Sequence, residues 1–177
     1  CSPSRATFFT GRIPSQHGLH DWIRYENAGE RARYCLSDEV LLSSILAKHG
    51  YNCGMVGKWH LGDSLHPQAD HSYWFALPEG SIPYQDAPMI WKGEVIQTKG
   101  YITDRITDHA LNFLDENRTR PFFLTVSYNA PHSPFSGHPD ALVDLFQECR
   151  FESAPDVETH PWSIFNVKQQ STPQNLS

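Results

Sequence analysis

The sequence has little positive charge and no long apolar segment. Its 14 lysines and arginines are outnumbered by 20 aspartates and glutamates, so the formal net charge is −6 and a nucleic-acid-binding surface is disfavoured. No apolar run is long enough to span a bilayer, and no signal-peptide pattern is present. The four cysteines lack the spacing of a zinc knuckle, and no disulfide pairing follows from their positions.

What remains is the composition of a globular protein. At 177 residues, of which 39% are hydrophobic, the chain is long enough for one domain with a hydrophobic core. No internal repeat is found in the sequence. Because the chain begins at Cys1 and not at a methionine, we expect it to be a fragment of a longer protein.

Apolar spacing and turn residues predict helices that alternate with strands. The predicted elements are a helix that ends at Gly11, a helix over 37–49 with Val40, Leu41, Ile45 and Leu46 on its buried face, a strand over 51–56, a helix over 101–117 and a strand over 122–128. This alternation is typical of an α/β domain with a mostly parallel sheet. Residues 57–100 are predicted to form an irregular excursion on the substrate side.

The opening stretch has the features of a reactive cysteine at a helix N-terminus. Pro3 fits a first helical turn, where its missing N–H costs nothing. Arg5 lies one turn after Cys1, close enough to fold back toward it. The unpaired N–H groups of such a helix start favour an anion beside Cys1. From the residues alone, the alternative is a buried cysteine on an ordinary helix.

Histidines follow two of the predicted strands. Lys58 and His60 come after the first of them, which places both at the carboxyl edge of the sheet, where α/β proteins bind ligands. In an extended segment the two side chains point the same way, and a cation beside an imidazole suits an anionic substrate. His132 lies in a loop after the second strand, restricted by Pro131 and Pro134. The alternatives are a surface lysine and histidines without a role.

Three stretches together resemble the sulfatase family. They are Cys1-Ser2-Pro3-Ser4-Arg5 with Thr10-Gly11-Arg12, then Gly57-Lys58-Trp59-His60-Leu61-Gly62, and then His132-Ser133-Pro134. The stretches occur in family order, and the resemblance covers most of residues 1–162. It implies an alkaline-phosphatase-like fold, a mixed, mostly parallel sheet flanked by helices. The expected organisation is a partial catalytic domain over 1–162 and a poorly ordered end over 163–177.

The resemblance also implies a catalytic set. Cys1 would be oxidised to formylglycine, whose hydrated aldehyde attacks the sulfur of a sulfate ester and gives a covalent sulfate intermediate. His60 would take the proton that lets sulfate leave, while Arg5 and Lys58 would stabilise the negative charge, with Lys58 binding the sulfate. His132 would bind the ester oxygen and help to protonate the leaving group.

A divalent metal ion, Ca²⁺ or another hard cation, is a further implication of the resemblance. The family holds it with an Asp pair before the signature cysteine and an Asp-Asn or Asp-Gln pair after the His-x-Pro loop, and no convincing pair is found here. Cys1 remains as the candidate ligand, so the chain alone is expected to be inactive. The implied partners are a sulfated small molecule or glycan and a formylglycine-generating maturation enzyme. The implied location is extracytoplasmic, meaning periplasmic, secreted or lysosomal.

Two other functions stay open on this evidence. A phosphodiesterase or phosphonate ester hydrolase of the same superfamily is compatible with the opening motif, and a non-catalytic binding module would keep Cys1 as a thiol. For His17 we expect a structural role in its loop. Ser81, Tyr84 and Asp86 lie in the excursion and are candidates for lining the pocket, although their spacing fixes no role.

Overall fold

The computed structural model describes residues 1–24, 32–150 and 152. Its helices are α1 (Ser2–Thr10), α2 (Pro14–His17), α3 (Leu42–Lys48), α4 (Ile102–Glu116) and α5 (Asp140–Val143), the last followed by a 3-10 turn at Asp144–Phe146. Its strands are β1 (Asn52–Gly57), β2 (Tyr73–Ala76), β3 (Pro88–Trp91), β4 (Glu94–Gln97) and β5 (Phe122–Ser127).

The five strands form one sheet in the order β4-β3-β2-β1-β5. β1 lies between β2 and β5 and pairs in parallel with both. β3 pairs antiparallel with β2 and with β4, so the sheet has two parallel and two antiparallel pairs. The expected mixed α/β sheet is therefore confirmed. Its parallel part brings the carboxyl ends of β1 and β5 to one edge, where Gly57 lies opposite Ser127.

Side chains alternate along the strands into two hydrophobic cores. Val56 of β1 belongs to a core with Phe113 of α4. The preceding residue, Met55, belongs to a second core with Phe9 of α1 and with Trp59. Because successive strand side chains point to opposite faces, α4 and α1 lie on opposite sides of the sheet. Burying an aromatic side chain such as that of Phe113 stabilises the fold by roughly 2–3 kcal/mol.

Most of the predicted elements are present close to their expected limits. The opening helix ends where Gly11 adopts a left-handed conformation, with φ 69°. β1 and β5 lie within one residue of the predicted strands. The long helix α4 buries the apolar residues at helical spacing, including Ile106 and Phe113. These elements agree with the sequence because each carries its own periodic apolar pattern.

The start of α3 was predicted wrongly. The helix begins at Leu42, and the predicted cap residues lie in a turn whose Glu39 N–H donates to the Leu36 carbonyl at 3.1 Å. The Glu39 carboxylate pairs with Arg12 at 2.9 Å and does not serve a helix start. Val40 and Ile45 are exposed, contrary to the predicted buried face, while Leu41 is buried.

The predicted irregular excursion over 57–100 contains β2, β3 and β4. β3 and β4 form a hairpin whose turn is Lys92-Gly93, with positive φ at both residues. Positive φ at both central residues is what a two-residue hairpin loop of this kind requires. The excursion therefore extends the sheet and also carries loops toward its carboxyl edge.

No helix within residues 1–24, 32–150 and 152 has the length and hydropathy needed to cross a membrane. The predicted domain boundary at 162 and the predicted poorly ordered end over 163–177 lie outside the described residues.

Candidate active site

The site begins at the N-terminus of α1. Cys1 is the N-cap residue of this helix, its thiol is free, and the residue is exposed. No side chain caps the helix start, so its first N–H groups face outward as an anion-binding end. Cys1 therefore lies at a helix N-terminus, as the sequence predicted.

Arg5 joins α1 to the ends of two strands. Its Nη1 donates to the Lys58 carbonyl at 2.6 Å and to the Ser127 hydroxyl at 3.0 Å. Arg5 therefore links α1 to the residues at the ends of β1 and β5. Burial lowers the pKa of Arg5, and the guanidinium stays charged.

Lys58 continues directly from the end of β1. Its N–H donates to the Ser127 carbonyl at 2.8 Å, and the residue is only 4% exposed. Burial, helped by the positive charge of Arg5, lowers the pKa of Lys58 to about 8. The ammonium is therefore still charged at neutral pH, although water does little to stabilise it.

His60 is buried with an unusual backbone conformation. Its φ of 57° lies in the left-handed region, so the extended geometry expected for Lys58-Trp59-His60 ends there. Strain of this kind persists where the surrounding structure imposes it, and it is common at functional sites. The side chain is consequently directed by its contacts and not by the strand.

The contacts of His60 determine which nitrogen carries the proton. Its Nε2 lies 3.0 Å from the Ile23 carbonyl, which accepts only, so Nε2 is the donor. Burial first, and then the charges of Lys58 and Arg5, lower the pKa of His60 to about 4. The neutral ring therefore has a bare Nδ1, which is buried and has no hydrogen-bond partner among the described residues.

The charges of this cluster are not balanced by the described protein. The positive charge of Arg5 lowers the pKa of Lys58. No carboxylate of the described residues forms an ion pair with either side chain. Two cations removed from water beside a helix N-terminus are costly without a counter-charge. The arrangement is suited to an anion that carries several acceptor oxygens.

His132 lies in the loop that leaves β5 at the same edge of the sheet. It is exposed, and its Nδ1 donates to the Ser133 carbonyl at 2.8 Å, so Nε2 is left as the acceptor. Ala130-Pro131 and Ser133-Pro134 on either side of it are cis peptides. No hydrogen bond within the described residues joins His132 to the other four predicted site residues.

The weaker predictions divide into three outcomes. His17 has a structural role, because its Nε2 contacts the Thr7 hydroxyl at 3.2 Å and its Nδ1 accepts from Leu19 N–H. Asp86 accepts from the Gly100 N–H at 2.7 Å and holds a turn. Ser81 and Tyr84 bond to the backbone of the His132 loop and do not simply line a pocket.

Sequence reasoning missed two groups that shape the site. The Ile23 carbonyl fixes the His60 tautomer, and the Ile23 N–H donates to Ser2 Oγ at 3.1 Å. Ser127 contacts Arg5 from the end of β5. A backbone carbonyl leaves no signal in a sequence, whereas the position of Ser127 follows from the β1–β5 register.

The described residues do not by themselves make a metal site. No group of three or more His, Cys, Asp or Glu side chains within residues 1–24, 32–150 and 152 lies together as one would require. A Ca²⁺ ion needs about six to eight oxygen ligands, of which the residue at position 1 supplies one or two at most. The described donor set therefore does not fit the ion without ligands from elsewhere.

A cysteine at a helix N-terminus, with Arg5 and Lys58 at the carboxyl edge of an α/β sheet, agrees with the resemblance to the sulfatases. The family model described as Sulfatase matches residues 1–173, and the chain belongs to this family of enzymes. The resemblance found in the three motifs is thereby confirmed.

Curated relatives agree with this assignment. The uncharacterized sulfatase YdeN of Escherichia coli (strain K12) is 28% identical over 94% of this chain and 33% of its own length. An N-acetylglucosamine-6-O-sulfatase of Bacteroides thetaiotaomicron is 35% identical over 73% of this chain and 22% of its own length. The N-acetylgalactosamine-6-sulfatase of Homo sapiens is 32% identical over 76% of this chain and 31% of its own length. The chain thus spans a third or less of these relatives.

Solved structures confirm the alkaline-phosphatase-like fold. The crystal structure of Ps i-CgsB in complex with k-i-k-neocarrahexaose has a TM-score of 0.71 and 27% identity, covering 86% of this chain and 39% of that chain. BT4656 in complex with its substrate D-glucosamine-2-N,6-O-disulfate has a TM-score of 0.67 and 31% identity, covering 85% of this chain and 28% of that chain.

Proposed function

We propose that the protein carrying this chain is a sulfuric ester hydrolase whose nucleophile is formylglycine made from Cys1. One observation supports this most strongly: Arg5 and Lys58 are partly or fully buried together beside the α1 N-terminus, without a carboxylate partner among the described residues. A sulfate ester supplies the missing negative charge and several acceptor oxygens.

Formylglycine, when present, supplies a hydrated aldehyde as the nucleophile toward sulfur. Its position is suitable, because residue 1 is exposed at the start of the helix that also carries Arg5. Lys58 binds and neutralises sulfate oxygens, and Arg5 adds positive charge while it holds the ends of β1 and β5 together.

The two histidines move protons in opposite directions. His60 is neutral, with Nε2 donating to Ile23, so its Nδ1 accepts the proton released when sulfate departs. His132 is exposed on its loop, and its Nε2, when that nitrogen also carries a proton, donates to the ester oxygen and passes the proton to the leaving alcohol. A low pKa suits the first role, since an imidazole that was already protonated at neutral pH would accept nothing.

The substrate class we propose is a sulfated sugar or glycan. Relatives named for 6-sulfated N-acetylhexosamines are 35% and 32% identical to this chain, and a structural neighbour was solved with D-glucosamine-2-N,6-O-disulfate. We also propose that a formylglycine-generating enzyme matures residue 1 and that the protein works outside the cytoplasm, in the periplasm, a lysosome or a secreted form.

The competing activity is hydrolysis of a phosphodiester or phosphonate ester, which presents a similar anion to Arg5 and Lys58. The test uses the full-length protein co-expressed with a maturation enzyme and compares 4-nitrophenyl sulfate with bis(4-nitrophenyl) phosphate, with Ca²⁺ present. We expect the higher kcat/KM on the sulfate, and its loss in Cys1→Ala with retention in Cys149→Ala, a second exposed cysteine. Preference for the diester would reassign the reaction, and ester binding without turnover would indicate a binding module.

A further inference from the structure

The segment Gly80–Tyr84 contacts both histidines of the proposed site, although it belongs to none of the three motifs. We call it the bridging segment. It lies in the connection between β2 and β3, which pair antiparallel in the sheet. Its contacts with the two histidine-bearing loops are of different kinds.

Toward His132, the bridging segment donates hydrogen bonds to the loop backbone. Tyr84 Oη donates to the His132 carbonyl at 2.7 Å, and Ser81 Oγ donates to the Ser133 carbonyl at 3.0 Å. In the opposite direction, Asn129 Nδ2 donates to the Ile82 carbonyl at 3.0 Å. Three bonds therefore fix this loop against one segment of five residues.

Tyr84 is well placed to transmit position from the core. The residue is only 2% exposed, and its ring belongs to the core that contains α4. The ring is therefore fixed by packing, and the hydroxyl at its end reaches the carbonyl of the catalytic candidate itself. A hydrogen bond from such a rigid donor restrains the loop more than one from a mobile surface side chain.

Toward His60, the bridging segment makes a close backbone contact. A Cβ atom added at Gly80 would lie 2.5 Å from His60 Nε2 and 2.6 Å from His60 Cε1. The imidazole therefore packs directly on the Gly80 backbone, on the side where Nε2 also donates to the Ile23 carbonyl. Glycine at this position sets how far the ring can enter the site.

We propose that the bridging segment is a positioning device that sets His60 and His132 relative to each other. This inference rests on the proposed function, in which the two rings handle protons for one substrate. Tyr84 and Gly80 are positioning residues, since they act through the histidines and need not touch substrate. Proton transfer in the transition state depends on groups held to within about 0.5 Å, which a common support for both rings provides.

The kinetic test uses the matured full-length protein and 4-nitrophenyl sulfate. Tyr84→Phe keeps the ring and removes one neutral hydrogen bond, so we expect kcat to fall about 3- to 10-fold. The matched control is Tyr128→Phe, whose hydroxyl contacts Thr107 at 3.0 Å and not a site loop. In a His132→Ala background Tyr84→Phe should cause no further loss, because the group it positions is already gone.

The same logic applies to the other histidine. Gly80→Ala should lower kcat in the wild-type background and should have no added effect in His60→Ala, which provides room for the new methyl group. Losses that add fully in both double variants would overturn the positioning role. They would show that each substitution acts on general stability.

A second measurement does not need activity. In Tyr84→Phe, backbone amides of residues 130–138 should exchange with deuterium faster than in the wild type and in Tyr128→Phe. Unchanged exchange in Tyr84→Phe would overturn the inference. If exchange is faster in Tyr84→Phe but the wild-type protein hydrolyses no sulfate ester, only the proposed function is refuted. If Tyr84→Phe does not fold, Ser81→Ala, which is partly exposed, removes the neighbouring bond to the same loop and is judged in the same way.

Discussion

At the scale of single residues, burial determines what each group of the site can do. Desolvation is the first cause of the lowered pKa of both Lys58 and His60, ahead of the charges around them. The result is a charged ammonium close to a neutral imidazole at pH 7, which is the pair that anion binding and proton acceptance require. Burial keeps the imidazole of His60 neutral well below pH 7 and brings the loss of the Lys58 charge down to about pH 8.

Removing either group should therefore reduce turnover in the matured full-length protein. We expect His60→Ala and Lys58→Ala each to lower kcat/KM for 4-nitrophenyl sulfate by about 10² or more, the usual scale for a proton-transfer or charge-stabilising group. His66→Ala and Lys48→Ala are the matched controls, since both lie outside the described cluster. Near-wild-type kinetics of both site variants would contradict their assignment.

The pH dependence tests the lowered pKa of Lys58. With a pKa of about 8, Lys58 is a cation below that pH and neutral above it, so kcat/KM should be level near neutrality and fall above about pH 8. In Lys58→Arg the charge persists to much higher pH, so the alkaline fall should move upward even if the maximum rate drops. An alkaline limb that is unchanged in Lys58→Arg would assign the titration to another group.

At the scale of secondary-structure elements, the site depends on how closely β1 approaches β5. Gly57 has φ 105°, and an added Cβ would lie 1.9 Å from the Ser127 carbonyl oxygen. Ser127 also accepts from the Lys58 N–H through its carbonyl and from Arg5 through its hydroxyl. Any side chain at position 57 would push apart the two strand ends that hold the site.

Gly57→Ala should consequently destabilise the protein much more than a comparable change elsewhere. We expect a loss of at least about 2 kcal/mol in the free energy of unfolding, from backbone strain together with a backbone clash. Gly93→Ala is the control, because it also has positive φ, at 81°, but nothing lies within 4 Å of its added Cβ. Urea denaturation curves that shift equally for the two variants would show that the strand contact is not the cause.

The sequence predicted those elements whose stability is local. α4 and β5 carry their own apolar period, and α1 has a proline and a glycine at its two ends. The start of α3 could not be predicted in this way, because the Glu39 carboxylate forms an ion pair with Arg12, 27 positions away. β3 and β4 are short, and β3 begins at Pro88. Their structure is decided by strand pairing, of β3 with β2 and of β4 with β3.

The site shows the same division. The three motifs led to Cys1, Arg5, Lys58, His60 and His132. In the structure Arg5 bonds to the Lys58 carbonyl, and the charges of Arg5 and Lys58 lower the pKa of His60, while Cys1 begins the helix that carries Arg5. The Ile23 carbonyl and the close approach of Gly80 were beyond sequence reasoning, because they depend on which backbone atoms tertiary packing places beside an imidazole. Tyr84 was noticed in the sequence, but only packing shows that it holds His132.

At the scale of the whole molecule, the described chain provides cations and histidines but not a metal-binding set. We therefore expect residues 1–177 alone, even with formylglycine at position 1, to hydrolyse no 4-nitrophenyl sulfate with Ca²⁺ added. Arg5 and Lys58 would then bind the sulfate without the positive charge that a divalent ion would add. Turnover by this chain that disappears in His60→Ala would show that a complete site is present and that the metal argument is wrong.

The central claim is that residue 1 provides the nucleophile, and the fraction of aldehyde at that position tests it directly. The full-length protein would be prepared with graded amounts of maturation enzyme, and peptide mass spectrometry would be compared with 4-nitrophenyl sulfate turnover in the same samples. We expect turnover to rise in proportion to the aldehyde fraction and to be absent in Cys1→Ala. Full turnover from protein that carries only the thiol at Cys1 would contradict the claim.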